Sequence, residues 1–516
     1  MKTKYTFYNS IVNLIYYILT VLLGLLNRKV LINTMGIKYQ GINGLFSNIL
    51  SMLSIAELGI GMTIIYHLYR TLEENNIILT RALISFYRKC YNWIALIITF
   101  FGIALIPFLP LVIPEVISLP VNINIIYLCF LLDSVCSYLF TYKRSILIAD
   151  QKNFIVIIFD IFYQVIMKSL QIVILYTTHN YIYYLVIMVV FRLIENILLN
   201  QLVLYKYPFL HKLKHCSLPH IIKADIIQKV QGSMFHKMGS FFVMGTDNIL
   251  LSHFFGLTVV GIYSNYELII TVLKNISTQI VGASTASVGH MLLEKDTHKN
   301  NLVFQQLQLI NGGIMNLCAS GIYCVTTPLI QFVFGTEFIL SDTILLFLTF
   351  KFYITGMRQV YSVFKEASGI LYEDRYIPLL ESLINIIMSL VFIYFFGLVG
   401  IFLGTIISSF LLFFYTYPIL VYKPILNKSY ISYYLQLLRL IIIMLLSVFI
   451  SKFITSRIHS THTLMQIIAF SLICSIVSNT LFYFLYVKRC NEWNQVKDKF
   501  ILIIGRCFRK RFCSPK

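Results

Sequence analysis

MGIKYQGINGLFSNILSMLSIAELGIGMTIIYHLY, residues 35–69, carries an apolar run from residue 42 to residue 66 that is long enough to cross roughly 30 Å of hydrocarbon. Its entry is marked by Gly36, Gly41 and Ile42, followed by Asn48 and Leu50. The same glycine spacing returns about 220 residues later as Gly256, Gly261 and Ile262, with Tyr266 and Ile270 beyond. A second trace has a similar offset: YKRSILIADQKNFI at 142–155 against FKEASGILYEDRYI at 364–377. Six helices fill each period. An even number makes both copies cross the membrane in the same sense, related by an axis along its normal.

Working outward, the rest of the 516 residues has the same character. The chain is 58% hydrophobic and 12% charged, with mean hydropathy +0.80; soluble domains hold about twice that share of charge. Apolar segments at 8–31, 42–66, 91–113, 122–142, 154–178, 181–204, 233–255, 258–284, 306–334, 342–365, 377–396, 399–421, 433–454 and 464–487 predict about fourteen crossings. The fold class expected is therefore an all-α polytopic membrane protein with two six-helix lobes and two extra C-terminal helices. Its divisions are an N-terminal lobe at 1–204, an inter-lobe linker at 205–232, a C-terminal lobe at 233–421, a last helix pair at 433–487 and a basic tail at 488–516. The apolar start, 11–26, lacks a small-residue cleavage site and reads as a retained first helix.

The net charge of +20 would suggest nucleic acid in a soluble chain, but here the cations gather on alternate loops. Arg70, Arg81, Arg88, Lys89, Lys143, Arg144, Lys152, Lys206, Lys295 and Lys299 fall on the side of the termini, against little beyond Lys38, Lys452 and Arg457 opposite. The positive-inside rule then makes both termini cytoplasmic. Outer loops such as 178–180 and 397–400 are too short to house extracytoplasmic sugar-transfer chemistry. The ten cysteines show no metal or redox spacing, and phosphate-loop, G-x-S-x-G and HExxH motifs are absent, so no enzyme, metal or cofactor is expected. Transport driven by Na+ or H+, or facilitated flipping, remains.

Ionisable residues at membrane depth cost a few kcal/mol and should face a cavity or a partner. Asp133 and Arg192 fall near mid-membrane. Lys168, Asp247, Glu267, Lys274, Lys351 and Arg358 are off centre, and Arg28 and Glu57 nearer helix ends. Arg192 has Glu195 at i+3, an intrahelical pair; Asp160, Gln164 and Lys168 follow on one face, as do Glu267 and Lys274. Lys351 and Arg358 share a stripe with Thr355 and Ser362 and no acid at helical spacing. Arg28, Lys168, Lys274, Lys351 and Arg358 are thus candidates to hold a diphosphate or sugar. Asp247, Glu57, Asp133 and Glu267 are candidates for ion coupling, with salt bridging and close packing as the alternative roles.

Residues 35–69, YKRSILIADQKNF at 142–154, GTDNILLSHFFGLTVVGIYSNYELI at 245–269 with ASVG at 286–289, and GMRQVYSVFKEASGILYEDRYIPLLESLIN at 356–385 with GLVGIFLGTIIS at 397–408 resemble one family. It is the polysaccharide transporters of the multidrug/oligosaccharidyl-lipid/polysaccharide (MOP) exporter superfamily, the flippases of O-antigen and capsule repeat units. The likeness spans residues 1 to about 420; the last two helices match only in hydropathy. It implies the two-lobed (MATE-like) fold of multidrug and toxin extruders, alternating access, a polyprenyl-diphosphate-linked oligosaccharide as cargo, and the bacterial inner membrane. Membrane lipids and the polysaccharide polymerase and assembly machinery are the partners it implies. Arg28, Asp247 and Arg358 match positions of the family pattern. The alternatives are a drug extruder of the same fold, whose cleft should be acidic, a membrane glycosyltransferase or polymerase, and a scaffold protein.

Overall fold

The computed structural model describes residues 2–489 apart from 54–56, 58–59, 115–121, 140, 212–217, 295, 371–372 and 459–462. The basic tail beyond Arg489 lies outside the described residues. Helices account for nearly all of the described chain, and no strand occurs among the described residues.

Two compact units divide the chain: 1–268 with 375–387, and 269–374 with 388–516. In the first lie α1 (Lys2–Met35), α2 (Ile37–Leu53), α3 (Ile60–Glu73) and α4 (Ile77–Leu105), which runs on through a 3-10 turn into α5 (Leu109–Val112). Then come α6 (Ile123–Leu139), α7 (Arg144–Ala149), α8 (Asn153–Thr178), α9 (Tyr181–Lys206) and most of α10 (His220–Gly282). The second unit holds α11 (Thr285–Leu293), α12 (Thr297–Val333), α13 (Asp342–Ala367), the end of α14 (Ile377–Phe396), α15 (Leu398–Leu411), α16 (Lys423–Leu426), α17 (Tyr430–Thr455) and α18 (Thr463–Leu485).

Local chemistry sets these boundaries. Asn76, Asn180, Asp296, Ser341 and Ser429 each accept a first-turn amide with the side chain, capping α4, α9, α12, α13 and α17. His179 and Asn427 end helices in the left-handed region. Between α15 and α16, Leu412–Tyr422 winds as a π-helix containing Pro418, a wider coil that tolerates the missing amide.

Eleven helices among the described residues are long and apolar enough to cross a membrane. Four of the expected crossings take other forms. Among the described residues of the 42–66 segment, α2 ends at Leu53 and α3 begins at Ile60. The 233–255 and 258–284 segments belong to one long helix broken at Gly256, whose φ of 80° ends the helical geometry there. The 342–365 segment is the 26-residue α13, long enough to span at 1.5 Å per residue but charged along its length. Arg81, Arg88 and Lys89, expected in a loop, lie within α4. Large apolar side chains stand exposed along these helices: Leu22 at 53%, Phe100 at 65%, Phe395 at 68%. So much exposed apolar surface is the face a multi-pass protein offers to lipid.

The repeat glycines occupy equivalent places. Gly36 and Gly256 both have positive φ, at 94° and 80°, and each immediately precedes a helical segment. Five residues on, Gly41 and Gly261 face the opposing backbone: a Cβ on Gly41 would fall 2.1 Å from the Leu257 carbonyl oxygen, and one on Gly261 would fall 2.5 Å from that of Ile37. Gly44 continues the seam against Ser264. Small residues let α2 and α10 meet backbone to backbone, as membrane helices do where no hydrophobic gain is available between them.

Candidate functional site

Four elements of the first unit converge on one ionic cluster. Arg192 on α9 donates from Nε to Asp133 Oδ1 on α6 at 3.2 Å and from Nη1 to Glu195 Oε2 on its own helix at 3.2 Å. Arg144, the first residue of α7, bonds the other oxygen of Glu195, pairs with Asp160 on α8 at 3.4 Å and donates to Asn196 Oδ1 at 3.4 Å. Asn196 anchors itself through Nδ2 to the Cys136 carbonyl at 2.9 Å. Glu195 is 3% exposed and holds two guanidiniums at once. Buried charge survives in membranes when compensated in this way.

A cavity of about 230 Å³ opens onto this cluster. Arg144, Arg192 and Asn196 form one wall; Glu57, Tyr91, Ser137, Tyr138 and Thr141 complete it. Glu57 accepts the Tyr91 hydroxyl, which in turn accepts that of Tyr87 at 3.0 Å. Gly61 makes room here, since a Cβ would lie 2.8 Å from the Tyr87 oxygen.

Next to the cluster, Lys168 donates to Gln171 Oε1 at 3.2 Å, and Gln171 passes the chain to the Tyr184 carbonyl and to Asn27. The Tyr184 hydroxyl closes the loop on Asn27 at 2.8 Å. Arg28, the next residue on α1, turns to the Ser264 carbonyl at 2.5 Å, while Gln40 reaches the Ser264 hydroxyl at 3.1 Å. Lys168 lies within electrostatic reach of Arg28, Asp133 and Arg192.

The candidates thus separate. Asp133 and Lys168 lie at or beside the cluster, Glu57 lines the cavity, and Arg28 sits on the adjoining polar chain. Asp247 on α10 is 2% exposed, beside Thr246, which donates to Asn385 at 3.1 Å. Glu267 accepts the Tyr263 hydroxyl at 2.8 Å. In the second unit Lys274 is half-buried on α10, and Lys351 and Arg358 are half-buried on α13, with the Lys351 amine 5.6 Å over the Phe402 ring.

The intrahelical Arg192–Glu195 pair is present. Asp160 and Lys168 do not neutralise each other along α8: Asp160 goes to Arg144 and Lys168 to Gln171. Arg144 itself corrects the sequence reading. Counted there among the loop cations, it is the hub of the cluster, because α7 folds back on α8 and α9; Lys143 beside it is also buried, 7% exposed. The signal that marks Arg144 is its place in the repeated YKRSIL segment, where the matching position at 366 is an acid, Glu366, and not a cation.

No protein-family model matches the sequence, and no curated protein matches it. Solved structures do match the fold. An inward-facing multidrug resistance MATE family transporter of the MOP superfamily is 13% identical at TM-score 0.61, over 76% of this chain and 91% of that one. The lipid II flippase MurJ, in an inward closed conformation, is 16% identical at TM-score 0.60, over 92% of this chain and 98% of that one. A MATE structure in the bent conformation is 13% identical at TM-score 0.51, over 79% and 92%. This chain is a multi-pass membrane protein with the fold shared by MATE transporters and MurJ.

Proposed function

We propose that the chain is a flippase that moves a polyprenyl-diphosphate-linked oligosaccharide across the cytoplasmic membrane by alternating access, for the assembly of a surface polysaccharide such as O-antigen or capsule. How far along the chain the MurJ likeness runs is the observation that carries the reading. It leaves 8% of 516 residues, about 41, uncovered, and α17 and α18 hold more than that, 26 and 23. Part of the C-terminal helix pair is therefore matched in a lipid II flippase, whereas the MATE likenesses leave about a fifth to a quarter of the chain uncovered. The cargo class agrees with the membrane-depth cations Arg28, Lys168, Lys274, Lys351 and Arg358, since a diphosphate needs cationic donors. The lipid tail stays in the bilayer, and only the headgroup has to pass.

The same fold admits a drug extruder, and one experiment separates the two. Deleting the gene in its host and extracting lipid-linked glycans is expected to reveal diphosphate-linked repeat units accumulating on the inner leaflet, with surface polysaccharide lost. An unchanged glycan pool together with new sensitivity to cationic drugs would make it an extruder.

A further inference from the structure

We infer that the cavity of the first unit is a subsite for one neutral sugar ring of the cargo, and that it does not hold the diphosphate. The inference rests on the flippase reading for the identity of the cargo. Its own support is the wall chemistry. Glu57, Arg144 and Arg192 face the cavity, and the two arginines are bonded directly to Asp133, Asp160 and Glu195. Four carboxyl groups stand against two guanidiniums, so the cavity offers no net positive charge to an anion, although arginine lines it.

What the wall does offer is a mixture of donors and acceptors. Arg192 spends Nε and Nη1 on acids, leaving its Nη2 donors for a ligand. Ser137 and Thr141 donate their hydroxyl protons to the Ser134 and Ser137 carbonyls of the helix, which leaves their oxygen lone pairs as acceptors. A phosphate can only accept, and would meet these oxygens and Glu57 with nothing to give. A sugar hydroxyl both donates and accepts, and satisfies both kinds of partner. Tyr138 adds an aromatic edge to this wall, packed on the buried Tyr91 with ring centroids 5.7 Å apart. At about 230 Å³ the space is below the roughly 300–1,000 Å³ of pockets for drug-sized molecules, and suits one ring and not a chain of them.

Saturation-transfer NMR on the detergent-purified full chain tests this, with a panel of a hexose, an N-acetylhexosamine and a deoxyhexose as probes and inorganic pyrophosphate as competitor. At least one sugar is expected to receive saturation at millimolar concentration. Its dissociation constant should rise about tenfold in Thr141→Val and in Asn196→Leu, and a tenfold excess of pyrophosphate should leave it unchanged. Thr141→Val is nearly isosteric, so it decides the matter even if Asn196→Leu fails to fold. No transfer to any sugar, displacement by pyrophosphate, or wild-type binding by Thr141→Val would overturn the subsite. The gene deletion above separates the two levels: glycolipid accumulation without sugar binding leaves a flippase lacking this subsite, and binding without accumulation leaves a sugar site in a protein of another function.

Discussion

Glu195 shows how single side chains hold the first unit together. Its carboxylate is shared by Arg144 and Arg192, one oxygen to each, in a place 3% open to solvent. Glu195→Gln would remove the one carboxylate the two guanidiniums share, leaving Arg192 with Asp133 and Arg144 with Asp160. Removing one partner of a buried ion pair costs about 3–5 kcal/mol; the arginines are 18% and 29% exposed, so the lower end applies. Thermal unfolding in detergent is expected to show a clear fall in midpoint for Glu195→Gln, partly regained by adding Arg144→Gln. No fall at all would mean that the cluster contributes nothing to stability. The Arg192–Glu195 half of the cluster was legible in the sequence, because i,i+3 spacing is fixed by helical geometry. The Arg144–Glu195 and Asp133–Arg192 contacts were not: they join residues 51 and 59 positions apart, and they depend on α7 folding back and on α6 packing against α9, which no periodicity encodes. The Glu57–Tyr91 bond was hidden for the same reason.

At the level of helices, polar and small residues set which faces meet. Asn316 on α12 donates to the Ser447 hydroxyl of α17 at 3.0 Å and the Ser478 carbonyl of α18 at 3.1 Å. Nearby, Gly312 lets Phe482 approach so closely that a Cβ would lie 3.1 Å from its ring. Hydrogen bonds between membrane helices average about 0.6 kcal/mol and reach about 1.7, so Asn316→Leu should cost about 1–2 kcal/mol. The loss should appear as faster proteolysis between α17 and α18 with α1–α9 unaffected. At the other seam, Gly41→Ala sets a methyl carbon 2.1 Å from the Leu257 oxygen and must part α2 from α10. Transport is expected to fall at least tenfold while membrane insertion persists, as read by surface polysaccharide and by protein in the membrane fraction; wild-type transport would mean that the seam can open at no cost. The glycines of this seam stand out in the sequence as a repeated spacing, but their facing one another does not. Nor does the division of 42–66 into α2 and α3, since mean hydropathy over a long, largely apolar run does not tell one helix from two.

Across the whole molecule, composition alone places the chain in a membrane, and the run of apolar segments anticipates the helical fold shared with MATE transporters and MurJ. Function is less exposed, because the fold is common to proteins with different cargoes. Lys351 and Arg358 carry the most direct test of an anionic cargo. The double variant Lys351→Ala, Arg358→Ala should insert normally and abolish export, measured as lipid-linked glycan retained and surface polysaccharide lost; normal export would remove these two cations from the path. The glycine seam also has a consequence for descent. Because Gly41 lies on the Leu257 carbonyl and Gly261 on that of Ile37, neither can acquire a side chain unless the opposing backbone retreats. The contact rests on dispersion and on the neutral Gln40–Ser264 hydrogen bond, both indifferent to salt and acidity. A lineage that abandons one of the two glycines is expected to have reshaped the other segment as well, so the two positions should be inherited as a single character.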